Sequence, residues 1–261
     1  ALMDTETFSS ARGNILEIIQ ANIKVPRGIM IMEDPPLHTV NRGALSILFS
    51  PRNMAPLESR IREFCQQSLQ PCAENEQFDF VRDLGAQMPM RVIGMLLGIP
   101  DQDLQSVREA ADARLRTEKG KPMDASTTVS NGEDDFSQYV DWRIKHPADD
   151  IMTQLLNTQI VDETGTRRTL AREEVLAMVT VLAAAGNETT NRLIGWIGKV
   201  LAEHPDQRRA VAAQPVLIPD MVEEVLRYEA PGPHAARYVT RDITLHGKTV
   251  PKGSAIDLVL A

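Results

Sequence analysis

Apolar positions recur at helical spacing over most of the chain and give way to short β-type runs near its end. Asp34-Pro35-Pro36 predicts a helix start, because aspartate accepts from free backbone N–H groups and proline is tolerated in a first turn. That helix should reach about Ser50. Asn53 is placed to cap the next, whose Leu57, Ile61, Phe64 and Leu69 keep roughly helical spacing. An amphipathic stretch from Leu84 to Leu97 stops at Gly98-Ile99-Pro100, and a charged helix follows from Asp101 to about Thr117. Glu118 to Asn131, rich in Lys, Gly, Ser and Thr, reads as a mobile loop.

Two shorter helices are expected, Glu133 to Lys145 and Asp149 to Asn157. The polar turn Asp162-Glu163-Thr164-Gly165 leads to the longest helical pattern, Arg172 to about Glu203, with Glu173 and Glu174 at its positive N-terminal end. Helices near Asp206 to Ala213 and Pro219 to Glu229 complete the helical part. Beyond Pro231, the runs Arg237 to Thr240, Ile243 to His246 and Ser254 to Leu260 read as strands, separated by His246-Gly247-Lys248 and Pro251-Lys252-Gly253. The expected architecture is mainly α with a small β-sheet, one domain over residues 1–261, helical to about 230 and β-rich over about 231–261.

Composition changes this picture little. With 261 residues, 43% of them hydrophobic and 25% charged, the chain has material for a substantial core. Its 28 Lys and Arg against 36 Asp and Glu give a net charge of -8 without a basic block, which disfavours nucleic acid and anionic membrane surfaces. Small molecules and protein partners are favoured instead. Cys65 and Cys72 have no nearby His or second Cys pair, which argues against a zinc site and a disulfide scaffold and suits a reducing cytoplasm. No long apolar run or signal-peptide pattern opposes that location. The chain starts without Met and ends inside an apolar run, and both ends read as cut.

Three segments carry candidate chemistry. The long helix is apolar from Val175 to Ala185 and from Leu193 to Leu201, yet Asn187 to Asn191 interrupt it where burial is expected. Buried polar groups are costly unless paired or functional. The small residues Ala183, Ala184, Ala185 and Gly186 would leave room for a flat ligand, and Gly186 weakens the helix so that it could open and admit water. Equally, Gly186 could end one helix and Asn187 cap the next. Glu224 and Arg227 are three apart on one helix face, where such a pair is usually a solvated ion pair. His38 and Arg42 lie one turn apart and could hold a carboxylate of a bound group, or could simply be exposed near a helix start. Arg237 leads into the first late strand.

In residues and order, these segments resemble the bacterial cytochrome P-450 pattern over nearly the whole chain. The segment Asp34-Pro35-Pro36-Leu37-His38-Thr39-Val40-Asn41-Arg42 resembles the family's helix C, and Ala185-Gly186-Asn187-Glu188-Thr189-Thr190 its oxygen-binding motif in helix I. Glu224-Val225-Leu226-Arg227 resembles the helix K motif, and Arg237-Tyr238-Val239-Thr240-Arg241-Asp242 the strand after it. The resemblance implies a truncated cytochrome P-450 fold and, for the complete protein, a haem-dependent monooxygenase placing one oxygen atom from O2 into a hydrophobic small molecule.

It further implies haem b, with His38, Arg42 and Arg237 on its propionates and Ala185 and Gly186 against it. Glu188 and Thr189 would be the acid and alcohol that hold dioxygen and its waters and relay protons, while Glu224 and Arg227 would lock the fold. Electrons would come from NAD(P)H through a ferredoxin or similar partner to a cytoplasmic monomer. The iron-ligating cysteine is expected beyond Ala261, since neither Cys65 nor Cys72 stands in the family's Phe- and Gly-rich loop, and no metal ligand is expected in this chain. The family's opening strands and first helix are expected to be missing too. Val25 to Met32, Met178, Leu182, Ala185 and Gly232 to Ala236 would touch substrate, or serve ordinary packing. Two rivals stand: an inactive remnant acting as a binding protein, and an all-α magnesium-dependent isoprenoid synthase using Glu133-Asp134-Asp135 and Asn187-Glu188.

Overall fold

The computed structural model describes residues 2–73, 75, 77–115, 129 and 133–260. Strand β1 (Phe8–Ser9) and helix α1 (Leu16–Ala21) open the chain, and a 3-10 turn at Met30–Met32 precedes α2 (Leu37–Leu48). Asp34 does not cap α2. Its carboxylate accepts from the Ser9 hydroxyl and, at 2.8 Å, from the Ser10 N–H, so it ties β1 to the entry of the helix. Asn53 also works backwards: within α3 (Pro51–Met54), its Nδ2 donates to the carbonyls of Ile47 and Leu48 and closes the end of α2.

Helix α4 (Glu58–Ala73) buries Phe64 and leaves Leu69 45% exposed, so its apolar stripe is narrower than the spacing suggests. The helix expected from Leu84 begins later, at α5 (Met88–Leu97), behind a π-helical turn at Phe80–Gly85. Pro89 explains the offset: without an N–H and with its ring against the preceding turn, it belongs in a helix's first turn. Helix α6 (Leu104–Leu115) follows a 3-10 turn at Asp101–Asp103. Its expected end at Thr117 and the expected loop 118–131 lie outside the described residues, Val129 apart.

Helices α7 (Glu133–Lys145) and α8 (Ile151–Asn157) come next, the latter capped by the Asp150 carboxylate on the Thr153 N–H at 2.8 Å. The polar turn after it is the tip of a hairpin, β2 (Gln159–Val161) and β3 (Arg167–Thr169). The chain then runs through α9 (Arg172–Glu203), α10 (Pro205–Ala213) and α11 (Ile218–Tyr228) into β4 (His234–Val239), β5 (Ile243–Leu245), β6 (Lys248–Val250) and β7 (Ala255–Val259). Lys248 starts a strand rather than separating two, because His246 and Gly247 both take positive φ and make the two-residue turn that suits a twisted hairpin. The main sheet is antiparallel in the order β1-β4-β7, so the opening of the chain is stitched to its late strands at Ser9↔Tyr238 and Phe8↔Val239.

The core gathers around the first half of α9. Val175, Leu176, Ala177, Met178 and Val179 are at most 1% exposed, so this part of the helix is covered on every side. Met90 and Leu97 of α5, Val140 of α7 and Leu155 of α8 share its cluster. Each large apolar side chain so buried contributes about 1.5–3 kcal/mol.

A polar clamp fixes where α9 starts. Arg168 donates to both Glu174 oxygens at 2.6 and 2.8 Å and to Asp162 at 3.1 Å, and Glu174 also accepts from the Ala171 N–H at 2.8 Å. The Arg168 guanidinium holds the Glu174 carboxyl below its ordinary range, with burial opposing and the Ala171 N–H assisting. The Thr164 hydroxyl, with the Thr166 N–H, pulls Asp162 down to about 2. Carboxyls depressed in the folded state stabilise above their ordinary values and lose that contribution as pH falls. The melting temperature should therefore drop on acidification from pH about 4.5 to about 2. Glu174→Gln should flatten that drop, and an unchanged acid slope would contradict the clamp.

A second lock closes the other end of α5. Gly98 sits at φ +71°, and its carbonyl accepts from Arg143, which pairs with the buried Asp150 at 2.7 Å. A Cβ on Gly98 would strike both the Asp150 carboxylate and the Arg143 guanidinium. Left-handed backbone costs an L-residue about 1–2 kcal/mol, and displacing a buried pair costs more. Gly98→Ala should lower unfolding stability by about 3 kcal/mol in denaturant titration.

Candidate active site

Beyond its buried half, α9 becomes one wall of a cavity of about 270 Å3. Ala184 and Ala185 supply the room on this wall, and Glu188 and Thr189 its polar end. Ile29, Ile31 and Met32 from the segment before α2 face it, together with Val107 and Ala111 of α6 and Phe136 of α7. Part of the stretch expected to meet substrate, Val25 to Met32, is thus at the cavity with Ala185. Met178 and Leu182 are not: Met178 is 1% exposed inside the core, and Leu182 packs against that core. Gly232 to Ala236 do not border the cavity either, and Ala236 is buried in the sheet.

The polar segment of α9 does not break the helix, which is continuous over 32 residues. Successive residues turn about 100° and meet different neighbours. Asn187, 1% exposed, brings its Nδ2 within 3.5 Å of Asp112 on α6. Glu188 pairs with Arg192 at 2.6 Å, and the Thr189 hydroxyl donates to the Ala185 carbonyl at 2.7 Å. Its proton is thereby engaged while its oxygen remains an acceptor at the cavity edge. Gly186 neither opens the helix nor lines the cavity. A Cβ there would meet the Ile93 side chain of α5, so the missing side chain makes room for a neighbouring helix rather than a ligand.

His38, Arg42 and Arg237 are among the cations that lie outside the ion-pair pattern of the described residues. Arg143, Arg168, Arg172, Arg192 and Arg227 each approach a carboxylate within 2.6–2.7 Å. Among the described residues no acid pairs with His38, Arg42 or Arg237, although the chain is net negative by 8. His38 and Arg42 share a face of α2 one turn apart. Asp34 binds the entry of α2 to Ser9 and Ser10, and Ser9 pairs with Tyr238 next to Arg237, which brings α2 to the same corner as β4. Arg237 spends one N–H on the Ala236 carbonyl at 2.7 Å. Such a set suits the carboxylates of a bound group, which charge-assisted bonds would hold.

Glu224 and Arg227 form a two-pronged pair, both contacts 2.7 Å, in a groove between α9, α10 and α11 away from the cavity. The guanidinium holds the Glu224 carboxyl below its ordinary range. Cys65 and Cys72 on α4 are free thiols and border no part of the cavity. Among the described residues no three His, Cys, Asp or Glu side chains are grouped to hold a metal ion. Glu133 instead pairs with Arg172 at 3.2 Å, which takes the support from a magnesium cluster at that helix start.

No family model matches the chain. It is 32% identical to cytochrome P-450 130 of Mycobacterium tuberculosis, over 99% of its own length and 64% of that protein. It is 34% identical to the vitamin D(3) 25-hydroxylase of Pseudonocardia autotrophica, over 90% and 57%. The solved structure of a P-450 EryK mutant in complex with erythromycin B superposes with a TM-score of 0.83 at 30% identity, covering 97% of this chain and 64% of that one. The chain belongs to the cytochrome P-450 family. It spans about 64% of the length of the relative first named here. Its mainly helical fold with small sheets is the P-450 fold, and the isoprenoid synthase alternative falls away.

Within this P-450, Asn14, Val107, Ala111 and Phe136 are cavity residues that the sequence pattern did not single out, whereas Ala184 was expected to make room for a ligand. Only Phe136 left a trace, as an apolar position in the α7 period. The close packing at Gly186 makes a direct prediction. Gly186→Ala gains helix propensity of about 1 kcal/mol but overpacks Ile93 by about 1–3 kcal/mol. Adding Ile93→Ala should relieve the clash, and a double-mutant cycle in denaturant unfolding should show favourable coupling of about 1 kcal/mol or more. Additive effects would place Gly186 away from Ile93.

Proposed function

We propose that the protein acts as a haem-dependent monooxygenase that inserts one oxygen atom from O2 into a hydrophobic small molecule. One observation carries the reading: an apolar cavity whose helical wall ends in Glu188 and Thr189. The family, and relatives named for a vitamin D(3) hydroxylase and for a complex with erythromycin B, support it. Haem b, when bound, supplies the iron at which O2 is activated with electrons from NAD(P)H, delivered by a ferredoxin-like partner. We place its thiolate ligand outside residues 1–261, since neither Cys65 nor Cys72 borders the cavity.

The residues of this chain then take definite roles. His38, Arg42 and Arg237 bind the propionates with donors that no acid in the described residues occupies. Ala184 and Ala185 keep the α9 wall low enough for a flat macrocycle to approach. The Thr189 oxygen accepts from a water or protonated oxygen in the cavity, because its own proton rests on Ala185. Glu188 passes protons toward that water after leaving Arg192, a partly exposed pair worth at most about 1 kcal/mol. The apolar facing wall excludes bulk water and selects an apolar substrate. No helix among the described residues is long and apolar enough to cross a membrane, and the site of action proposed here is the cytoplasm.

In the complete protein, Thr189→Ala should leave haem uptake intact while lowering the product formed per NAD(P)H by about tenfold or more, the electrons appearing as peroxide or water. Parallel assays of NAD(P)H, peroxide and product decide it, and unchanged coupling would remove Thr189 from the proton path.

A further inference from the structure

Most polar groups around the cavity are settled locally. Thr180 donates to the Leu176 carbonyl at 2.8 Å, Thr189 to Ala185 at 2.7 Å, and Glu188 holds Arg192. Asp135 is engaged as well. Asn14 differs: its Oδ1 is shielded from solvent, borders the cavity, and receives no hydrogen bond from any described residue.

This arrangement is held in place. The Asn14 carbonyl accepts from the Ala236 N–H of β4 at 2.8 Å, and the turn before it closes through Gly13, whose N–H donates to the Ser10 carbonyl at 2.9 Å. Gly13 takes φ +121°, a conformation that an L side chain would resist. The backbone of residue 14 is therefore fixed to the sheet, and its side chain borders an apolar space. A buried acceptor left unpaired is destabilising, and one kept at a cavity wall calls for a ligand that completes it.

We infer that Asn14 is a substrate-orienting residue, whose carboxamide oxygen accepts a hydrogen bond from a hydroxyl or amine N–H on an otherwise apolar substrate. The inference rests on the monooxygenase reading only in taking this cavity for the substrate pocket. With Asn14 at one wall and Thr189 at another, the donor end of the substrate is anchored away from the carbon presented to α9. The substrate class is thus an apolar molecule with a hydrogen-bond donor at one end, rather than a plain hydrocarbon.

The test compares decan-1-ol with its isomer 1-methoxynonane, which has the same number of carbons and an acceptor oxygen but lacks the donor. Titration calorimetry on the complete haem-loaded protein should show the alcohol binding roughly five- to tenfold more tightly, the worth of one neutral hydrogen bond. In Asn14→Leu the two should bind alike, mainly through weaker alcohol binding, while Thr189→Ala should keep the preference. Equal binding by the unaltered protein would overturn the assignment even if the variant failed to fold, and so would a preference that survives Asn14→Leu. Equal binding with an otherwise active oxygenase removes Asn14 alone. A preference abolished by Asn14→Leu in protein that consumes no O2 keeps Asn14 and removes the monooxygenase reading.

Discussion

Everything else in this molecule is arranged around a helix that must be core at one end and cavity wall at the other. Thirty-two residues at 1.5 Å each make α9 about 48 Å long, enough to leave the core and enter a second environment. Its first turn is anchored by Arg168 and Glu174, and the turn that follows is sealed from Val175 to Val179. Past Ala183 the requirements reverse, for bulky side chains would close the cavity. The helix meets both with one unbroken backbone. Asn187 turns to α6, Gly186 yields to Ile93, and Ala185 with Thr189 faces the cavity.

The facing corner depends on carboxylates that are used structurally. Glu33, 7% exposed, accepts from the Gly28 N–H at 2.7 Å and the Asn41 side chain at 2.6 Å. Asp34 beside it holds Ser9 and Ser10. Bonds to a charged acceptor are worth about 1.5–3 kcal/mol each, so the segment before α2 is firmly set from both sides. That matters because His38 and Arg42 lie on the next turns. Two acids fix the backbone so that two cations a few residues later remain available to another anion.

Long elements were legible because periodicity integrates over many residues: Glu133–Lys145 and Arg172–Glu203 coincide with their pattern. Two- and three-residue strands carry no usable period, so β1, β2, β3 and β6 stayed hidden although the β1–β4 pairing closes the molecule. Capping was misjudged at Asp34 and Asn53 for a related reason. Both side chains found partners, but in an earlier element and in the opposite direction. Gly186 shows the limit for the site: a small residue signals that something packs closely, and only the fold reveals that Ile93 does. The Glu188–Thr189 pair was visible through the order of motifs, while Asn14 gave no signal, since its meaning lies in the donor it lacks.

The two sides of the cavity differ in how far they can yield. The α9 side is a regular helix of small residues whose backbone bonds must all move together, so it keeps its polar groups in register. The opposing side is an irregular segment with Ile31 43% exposed and Met32 buried, the latter a long flexible side chain that repacks at low cost. This segment is held at its base by Glu33 on Gly28 and at its rim by Arg27 on Glu163, a pair whose guanidinium side is largely exposed. An exposed pair of this kind contributes at most about 1 kcal/mol. On the proposed reading, Ile31 and Met32 would accommodate substrate shape, while Ala185, Glu188 and Thr189 would hold the reaction geometry. A rigid wall opposite a yielding one would let the cavity change shape without moving Glu188 and Thr189.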